Sequence, residues 1–192
     1  MKKIYLIGGG GHCFSCIDVI ESLNEYKISG IFDLQEKVGT AILGYPVIGT
    51  DLDLPRFVDD ESFFLITMGQ IKNPHVRIKI FNTLKDLNAQ LATVVSSRAY
   101  ISKHAVIGAG TIVMHDALVN ANAVIGLNCI INSKALVEHG AKIEAHCHIS
   151  TGAIVNGDCR IGEGSFIGSN SVLKEGVIIS NNSVLKAGQF HR

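Results

Sequence analysis

The second half of the chain repeats every six residues, and no other feature restricts the possible folds as strongly. From Val95 to Leu185 every sixth residue is aliphatic, which gives sixteen aliphatic positions in one register. Four residues after each of them comes a second periodic position, running from Ala99 to Gln189 and filled almost entirely by small residues. A period of six fits neither the α-helix, with about 3.6 residues per turn, nor the two-residue alternation of a strand.

A six-residue repeat predicts a parallel β-helix, in which each hexad forms one short strand and a corner. Three hexads make one triangular coil, so the chain has enough repeats for about five coils. The aliphatic side chains fill the interior of the prism, and the small ones stand where the chain turns. Residues eighteen apart then stack on adjacent coils, so the repeat predicts which residues are neighbours.

The beginning of the chain has a different pattern, typical of a nucleotide-binding βαβ unit. A β-branched and aromatic run, KIYLIG, leads into four glycines and then into a helical pattern from Cys13 to Tyr26. The glycines, Gly10 and Gly11 among them, allow main-chain amides to approach a phosphate at the helix N-terminus. The dinucleotide fingerprint is incomplete because its third glycine position falls on Cys13. A single nucleoside diphosphate is therefore a better expectation than a nicotinamide dinucleotide.

The remaining N-terminal segments complete a small α/β module. A strand ending at Asp33 would present a carboxylate to a ribose or a base edge, although a solvated strand-end residue fits the pattern as well. Further strands are predicted at 45–48 and 63–68, and a helix from Pro74 to about Leu87. We predict a Rossmann-like domain over residues 1–92, with three or four parallel strands and two helices. A β-helix domain follows over residues 93–192.

Composition limits the partners and the compartment. The formal net charge is zero, which argues against nucleic acid or an acidic membrane surface as a partner. The longest apolar run near the start, Ile4 to Ile7, is too short for a signal sequence or a membrane span, so a cytoplasmic protein is expected. Five cysteines are present, and three of them occupy small positions of the repeat, as expected for reduced thiols.

Within the repeat, the outward polar residues are the candidates for chemistry. His139 stacks on Gly157 and Ala121 by the eighteen-residue rule, which leaves open space around one imidazole next to a glycine amide. A neutral imidazole can accept a proton from an attacking amine or hydroxyl, and a main-chain N–H can stabilise the developing oxyanion. Acyl transfer is the chemistry that this pair favours, although a lone surface histidine is more often simply solvated.

Three segments carry a resemblance to a known family. GGGGH near the start, MGQ in the middle and INSKALVEHGAKIEAHCHISTGAIVNGDCRIG in the repeat resemble the sialic-acid and bacillosamine type of nucleotide-sugar acetyltransferases. The resemblance implies a homotrimer with active sites at subunit interfaces, each chain having a Rossmann-like domain and then a left-handed β-helix. It further implies transfer of acetyl from acetyl-CoA to a sugar amine or hydroxyl without a metal. A UDP-linked amino sugar is the expected substrate.

The same resemblance assigns roles to individual residues. His139 matches the family's catalytic base, and Gly157 matches the amide that faces the acetyl carbonyl and so also contacts the cofactor. Residues matching substrate-binding positions are Gly10, Gly11, His12, Asp33, Gly69, Gln70, Asn132 and His148. The family usually has an acidic residue directly after the base, where this chain has Gly140. Asp158 stacks on that position, so we predict that its carboxylate orients His139, although it could equally stabilise a corner through its own main chain.

Two other interpretations of the sequence remain open at this stage. O-acetylation of a sialic-acid-like sugar uses the same machinery as N-acetylation. A trimeric nucleotide-sugar sensor would use the β-helix only as a spine. A zinc-dependent carbonic anhydrase on this fold is disfavoured because no pair of histidines five apart is present. The Cys13-x-x-Cys16 motif fits a buried helix face better than a redox centre.

Overall fold

A computed structural model describes all 192 residues, and they form two compact units. The first unit comprises Met1–Gly69 and His75–Ala92, and the second comprises Gln70–Pro74 and Thr93–Arg192. The short segment Gln70–Pro74 thus packs with the second unit although it interrupts the first in sequence. No helix in the structure has the length and apolar character needed to cross a membrane.

The first unit is a six-stranded sheet with two α-helices. Its elements are β1 (Lys2–Ile7), α1 (Gly11–Glu21), β2 (Tyr26–Phe32), β3 (Ala41–Ile42), β4 (Tyr45–Gly49), β5 (Ser62–Ile66), α2 (His75–Asp86) and β6 (Gln90–Leu91). Short 3₁₀ turns lie at Gln35–Lys37 and Asp51–Arg56. The strand order is β3-β4-β2-β1-β5-β6, in which only β3 is antiparallel to its neighbour.

This arrangement confirms the α/β class, and it differs from the predicted details in two respects. Five strands are parallel instead of three or four, because β6, with only two residues, pairs with β5. Helix α1 ends at Glu21, and Tyr26 already opens β2. The strands β1 and β5 are largely buried, as expected for parallel strands covered on both faces, and Ile4, Leu6 and Leu65 are 0% exposed.

The second unit is a left-handed parallel β-helix, as predicted. Its strands β7 to β23 each span two residues: Val94–Val95, Tyr100–Ile101, Val106–Ile107, Ile112–Val113, Leu118–Val119, Val124–Ile125, Ile130–Ile131, Leu136–Val137, Lys142–Ile143, His148–Ile149, Ile154–Val155, Arg160–Ile161, Phe166–Ile167, Val172–Leu173, Ile178–Ile179, Val184–Leu185 and Phe190–His191. They form three sheets of six, six and five strands. Every strand pairs in parallel with the strand eighteen residues away, for example Ile131 with Ile149. The second residue of almost every strand points into one continuous apolar core.

The corners of the β-helix show why each hexad carries a small or turn-forming residue. From Gly110 to Gly188 every sixth residue has a positive φ, between 52° and 75°. Twelve of these fourteen residues are glycine, asparagine or aspartate, the types that tolerate the left-handed region. The exceptions are Lys134 and His146. Gly140, where the family resemblance predicts an acidic residue, is one of these corners with φ +68°.

One corner column explains the positions of two cysteines. Thr111, Cys129, Cys147 and Ser165 lie eighteen residues apart, and each donates a hydrogen bond to the main-chain carbonyl fifteen residues further on. The hydrogen bond with the Cys129 thiol, together with burial, raises the pKa of the Cys147 thiol far above its ordinary value. The two thiols therefore serve as small, buried hydrogen-bond donors at the corners and are not reactive cysteines.

The Cys13 and Cys16 thiols in α1 are also free and buried. Burial raises the pKa of both, which removes the thiolate that redox chemistry requires.

Candidate active site

His139 lies two residues after the end of β14 (Leu136–Val137), at the edge of an open cleft in the β-helix. The cleft has a volume of about 500 Å3 and is lined by Glu138, His139, Asn156, Gly157, Lys174, Glu175 and Phe190. The imidazole is largely solvent-accessible, with 63% of its side-chain surface exposed. Its Nε2 points at Gly157, because a Cβ atom built on that glycine would lie 2.8 Å from Nε2. The eighteen-residue stacking therefore places the two predicted residues in contact.

The main-chain N–H of Gly157 differs from the N–H groups at the equivalent positions of the two preceding coils. At Ala121 the N–H is bound by the side chain of Asn120, and at His139 it is bound by Glu138. The corresponding side chain before Gly157 is Asn156, whose amide donates instead to the carbonyl of Leu173. The Gly157 N–H, in a buried residue, has no acceptor in the protein. Buried unpaired N–H groups are rare, and one beside an imidazole is suited to an oxygen of a bound ligand.

The carboxylate next to His139 is Glu138, and the sequence analysis missed it. Glu138 Oε2 lies 3.4 Å from His139 Nδ1, accepts the His139 N–H at 3.2 Å and accepts the Asn120 amide at 2.8 Å. The hydrogen bond from Asn120 is the largest influence that lowers the pKa of Glu138, so this side chain is ionised at neutral pH. A carboxylate at Nδ1 favours the tautomer with the proton on Nδ1 and the lone pair on Nε2.

Asp158 occupies the predicted place in the stack without making the predicted contact. Its carboxylate fills the space beside Gly140, where a Cβ atom would come within 2.2 Å of Oδ1. Its main-chain N–H donates to the carbonyl of His139 at 3.1 Å, but no hydrogen bond joins its side chain to the imidazole. The assignment of the orienting carboxylate to Asp158 is therefore corrected in favour of Glu138, whose side chain reaches Nδ1.

Asn132 and His148 form a second cluster, on a different sheet of the β-helix from His139. Asn132 follows β13, and His148 opens β16, the next strand of the same sheet. The Asn132 amide nitrogen lies 3.1 Å from His148 Nε2, and His148 is only 6% exposed. No hydrogen bond within one chain links this pair to His139, which follows the neighbouring sheet.

Gln70 is buried in the β-helix unit, with 3% of its surface exposed. Its amide nitrogen donates to the carbonyls of His146 and Gly164, at 2.9 and 3.1 Å. The side-chain donor of Gln70 is therefore already used within the protein, and the predicted role of Gln70 in substrate binding stays a prediction.

A separate cleft of about 120 Å3 opens in the first unit, at the carboxyl ends of its parallel strands. It is lined by Ile7, Gly8, Phe32, Asp33, Leu34, Asp51, Met68, Val76 and Ile80. Such a crevice is where open α/β sheets bind ligands. Its polar side chains are Asp33, as predicted, and Asp51, which the sequence analysis did not single out.

Asp33 ties the glycine turn to the end of β2. Its Oδ2 accepts hydrogen bonds from the Gly9 N–H and from Lys37, each at 2.8 Å, and its Oδ1 accepts the Leu34 N–H. Burial alone would raise the pKa of Asp33, but Lys37 and the two amides outweigh burial and hold the pKa below its ordinary value. The carboxylate is thus charged, fixed in position and at the mouth of the cleft.

The four glycines of the turn have two distinct roles. Gly8 has φ +100°, and a Cβ there would lie 2.8 Å from the Met68 side chain, so packing requires glycine. Cβ atoms on Gly10 and Gly11 would meet nothing within 4 Å. These two residues therefore face open space at the start of α1, where an anion would be stabilised. His12 follows in the first turn of α1, and Gly69 packs against its Cβ.

Comparison with known proteins agrees with both halves of this description. Residues 3–84 match the family model of the PglD N-terminal domain, and residues 140–175 match that of the bacterial transferase hexapeptide repeats. UDP-N-acetylbacillosamine N-acetyltransferase from Bacillus subtilis is 30% identical over 118 residues, which cover 59% of this chain and 52% of that protein. An uncharacterised protein, L142, of Acanthamoeba polyphaga mimivirus is 34% identical over 110 residues, which cover 57% of this chain and 21% of that protein.

Solved structures match over nearly the whole chain. The acetyltransferase domain of PglB from Neisseria gonorrhoeae, in complex with acetyl coenzyme A, has a TM-score of 0.90 and 29% identity, covering 97% of this chain and 89% of that one. PerB from Caulobacter crescentus, in complex with CoA and GDP-perosamine, has a TM-score of 0.90 and 28% identity, covering 99% and 88%.

These matches show a PglD-type N-terminal domain at residues 3–84 and hexapeptide repeats at residues 140–175. The predicted resemblance to the nucleotide-sugar acetyltransferases of the bacillosamine type is thereby confirmed. The chain spans only about half, or less, of the length of the curated relatives that it matches.

Proposed function

We propose that the chain is an acetyl-CoA-dependent sugar N-acetyltransferase whose acceptor is a nucleotide-linked amino sugar. The observation that carries the proposal is the contact of His139 Nε2 with Gly157, whose buried N–H has no acceptor, in an open cleft. N-acetylation is favoured over O-acetylation because the relatives from Bacillus and Caulobacter are named as N-acetyltransferases. The Neisseria relative was solved with acetyl coenzyme A, and the Caulobacter relative with CoA and GDP-perosamine, which are the two kinds of ligand that the proposed reaction needs.

The proposed reaction needs no covalent enzyme intermediate. The neutral sugar amine attacks the thioester carbonyl carbon while His139 Nε2 removes a proton from the nitrogen, and Glu138 stabilises the resulting imidazolium. The Gly157 N–H donates to the oxygen as it becomes negative. The tetrahedral intermediate then collapses, the carbon–sulfur bond breaks, and His139 returns the proton to the departing thiolate. The products are the acetamido sugar and free CoA.

A direct assay tests this function. Wild-type protein with acetyl-CoA is offered UDP- and GDP-linked 4-amino sugars, and thiol release is followed together with the mass of the sugar product. We expect thiol release only with an amino sugar present and a mass gain of one acetyl group on nitrogen. Absence of release with every amino and hydroxy sugar nucleotide would favour a nucleotide-sugar sensor instead. Acetylation of the corresponding hydroxy sugars alone would favour O-transfer.

The residues that line the cleft in the first unit also favour one nucleotide base over another. Asp33 and Asp51 both line it, and carboxylates accept hydrogen bonds but donate none. Guanine offers a ring N–H and an amino group as donors, whereas uracil offers one N–H between two carbonyl oxygens. Two carboxylates therefore suit guanine better than the uracil that the sequence analysis favoured.

We expect GDP to bind more tightly than UDP, and Asp51→Asn to weaken GDP binding about tenfold, or about 1.4 kcal/mol. Titration calorimetry with the two free nucleotides measures this directly. Asp86→Asn, at the exposed end of α2, is the matched control and should leave both affinities unchanged. Tighter binding of UDP, insensitive to Asp51→Asn, would restore the uracil prediction.

Glu138 and Asp158 can be separated by a pair of conservative substitutions. We expect Glu138→Gln to lower kcat about tenfold, because the imidazolium loses its carboxylate partner. Asp158→Asn should lower kcat less, because its side chain makes no bond to the imidazole. Steady-state kinetics with saturating acetyl-CoA and amino-sugar nucleotide compare the two variants. A larger loss in Asp158→Asn would return the orienting role to Asp158.

A homotrimer, also part of the proposal, is supported by one face of the β-helix. The first residue of each strand in one sheet points outward, and in that sheet all six are apolar: Tyr100, Leu118, Leu136, Ile154, Val172 and Phe190. A continuous apolar column favours burial against another chain. Contact between neighbouring subunits could bring Asn132 and His148 of one chain to His139 of the next. Light scattering measures the assembly.

A further inference from the structure

The segment Gln70–Pro74 crosses the corners of the β-helix and is anchored there by one side chain. Gln70 is 3% exposed, and its amide nitrogen donates to the carbonyls of His146 and Gly164. These residues are corners of adjacent coils, eighteen residues apart, and both have a positive φ. Gln70 thus donates to main-chain acceptors on two adjacent coils, which fixes the segment in place.

The main chain of Gln70 in turn fixes His148. The Gln70 carbonyl oxygen lies 2.5 Å from His148 Nδ1, and because a carbonyl can only accept, Nδ1 must carry a proton. His148 Nε2 lies 3.1 Å from the amide nitrogen of Asn132. The Asn132 oxygen accepts the Ser133 N–H at 2.8 Å, which establishes which end of that amide is the nitrogen. Nε2 is therefore an acceptor, and His148 is neutral.

We infer that Gln70 is a positioning residue that holds His148 in its Nδ1–H tautomer and, through His148, sets the orientation of the Asn132 amide. One N–H of Asn132 binds His148, and the other has no acceptor in the protein. The free N–H is held ready to donate to an oxygen of a bound ligand, either the acetyl carbonyl or a sugar hydroxyl. The catalytic consequence rests on the proposed acetyl transfer, whereas the tautomer does not.

The tautomer is measured on the wild-type protein, without any substitution. Nitrogen-15 NMR of histidine-labelled protein distinguishes a protonated from an unprotonated ring nitrogen, and His148→Asn identifies the signals. We expect a single neutral tautomer with the proton on Nδ1. A His148 that is protonated on Nε2, or that exchanges between tautomers, overturns the inference whether or not acetyl transfer occurs.

Gln70→Met tests the anchor, because methionine keeps the volume of the side chain and removes its donor. We expect a mixture of His148 tautomers and a fall in kcat of about tenfold. Lys72→Ala, on the same segment but exposed, is the matched control and should change neither readout. Retention of the single tautomer, or of wild-type kcat, in a folded Gln70→Met variant overturns the positioning role. A variant that does not fold leaves the wild-type NMR measurement to decide. Failure of wild-type protein to transfer acetyl refutes the proposed function alone.

Discussion

His139→Ala is expected to lower kcat for acetyl transfer by roughly 10²- to 10⁴-fold, the usual contribution of a general base. The Nε2 atom of the imidazole faces Gly157, and its Nδ1 atom faces the Glu138 carboxylate. This arrangement leaves Nε2 as the proton acceptor. Alanine leaves the cleft and the Gly157 N–H in place but removes the proton acceptor. The KM for acetyl-CoA should change little, since no ground-state contact with the thioester depends on Nε2 accepting a proton.

The melting temperature distinguishes loss of the catalytic base in His139→Ala from a general loss of folded structure. Because 63% of the His139 side-chain surface is exposed, its loss should change the melting temperature by no more than a few degrees. His104→Ala removes another exposed histidine of the repeat and should leave kcat within about twofold of wild type. Thiol release with a saturating amino-sugar nucleotide measures all three proteins. Activity of His139→Ala within tenfold of wild type would assign the base elsewhere.

The eighteen-residue stacking explains how far the sequence could predict this site. Parallel pairing in the β-helix has a fixed register, so residues eighteen apart must meet, as His139 meets Gly157 and Gly140 meets Asp158. The same register cannot decide which carboxylate reaches the imidazole. That choice depends on side-chain rotamers, and Glu138, which precedes His139 in the chain, reaches Nδ1.

The parts that the sequence could not predict depend on contacts without a period. The Gln70 side chain donates to carbonyls that lie 76 and 94 residues away in the sequence. The six-residue repeat does not indicate which of its carbonyls accept hydrogen bonds from a distant segment. The glycine turn shows the same limit, because Gly8 is required by packing against Met68 whereas Gly10 faces open space. The four consecutive glycines therefore have two different roles, which only the three-dimensional structure distinguishes.

Gly157→Ala is expected to lower kcat about 100-fold while leaving the protein folded. The new Cβ would lie 2.8 Å from His139 Nε2 and 2.9 Å from Cε1, closer than a contact between such atoms permits. The imidazole is an exposed side chain that can rotate away, so the collision is relieved by displacing the base and not by unfolding. A displacement of about 1 Å costs about 10² in rate, equivalent to about 2.7 kcal/mol.

A second glycine gives the matched control for this prediction. At Gly126 a Cβ would lie 2.6 Å from the main-chain nitrogen of Ala145, an atom that cannot rotate away. Gly126→Ala should therefore lower the free energy of unfolding by about 1–3 kcal/mol, the usual cost of overpacking, whereas Gly157→Ala should lower it by less than about 0.5 kcal/mol. Urea unfolding should detect the larger loss of stability in Gly126→Ala, and thiol release should detect the larger loss of activity in Gly157→Ala.

The double variant His139→Ala/Gly157→Ala links this prediction to the first. If alanine at position 157 acts by displacing the imidazole, it should cost little further activity once that imidazole is gone, since coupled residues are non-additive. A full additional 100-fold loss would mean that the new methyl group blocks the acetyl group directly. Wild-type activity of Gly157→Ala would show that the recess beside Nε2 is not where the reacting nitrogen lies, and the proposed geometry would be wrong.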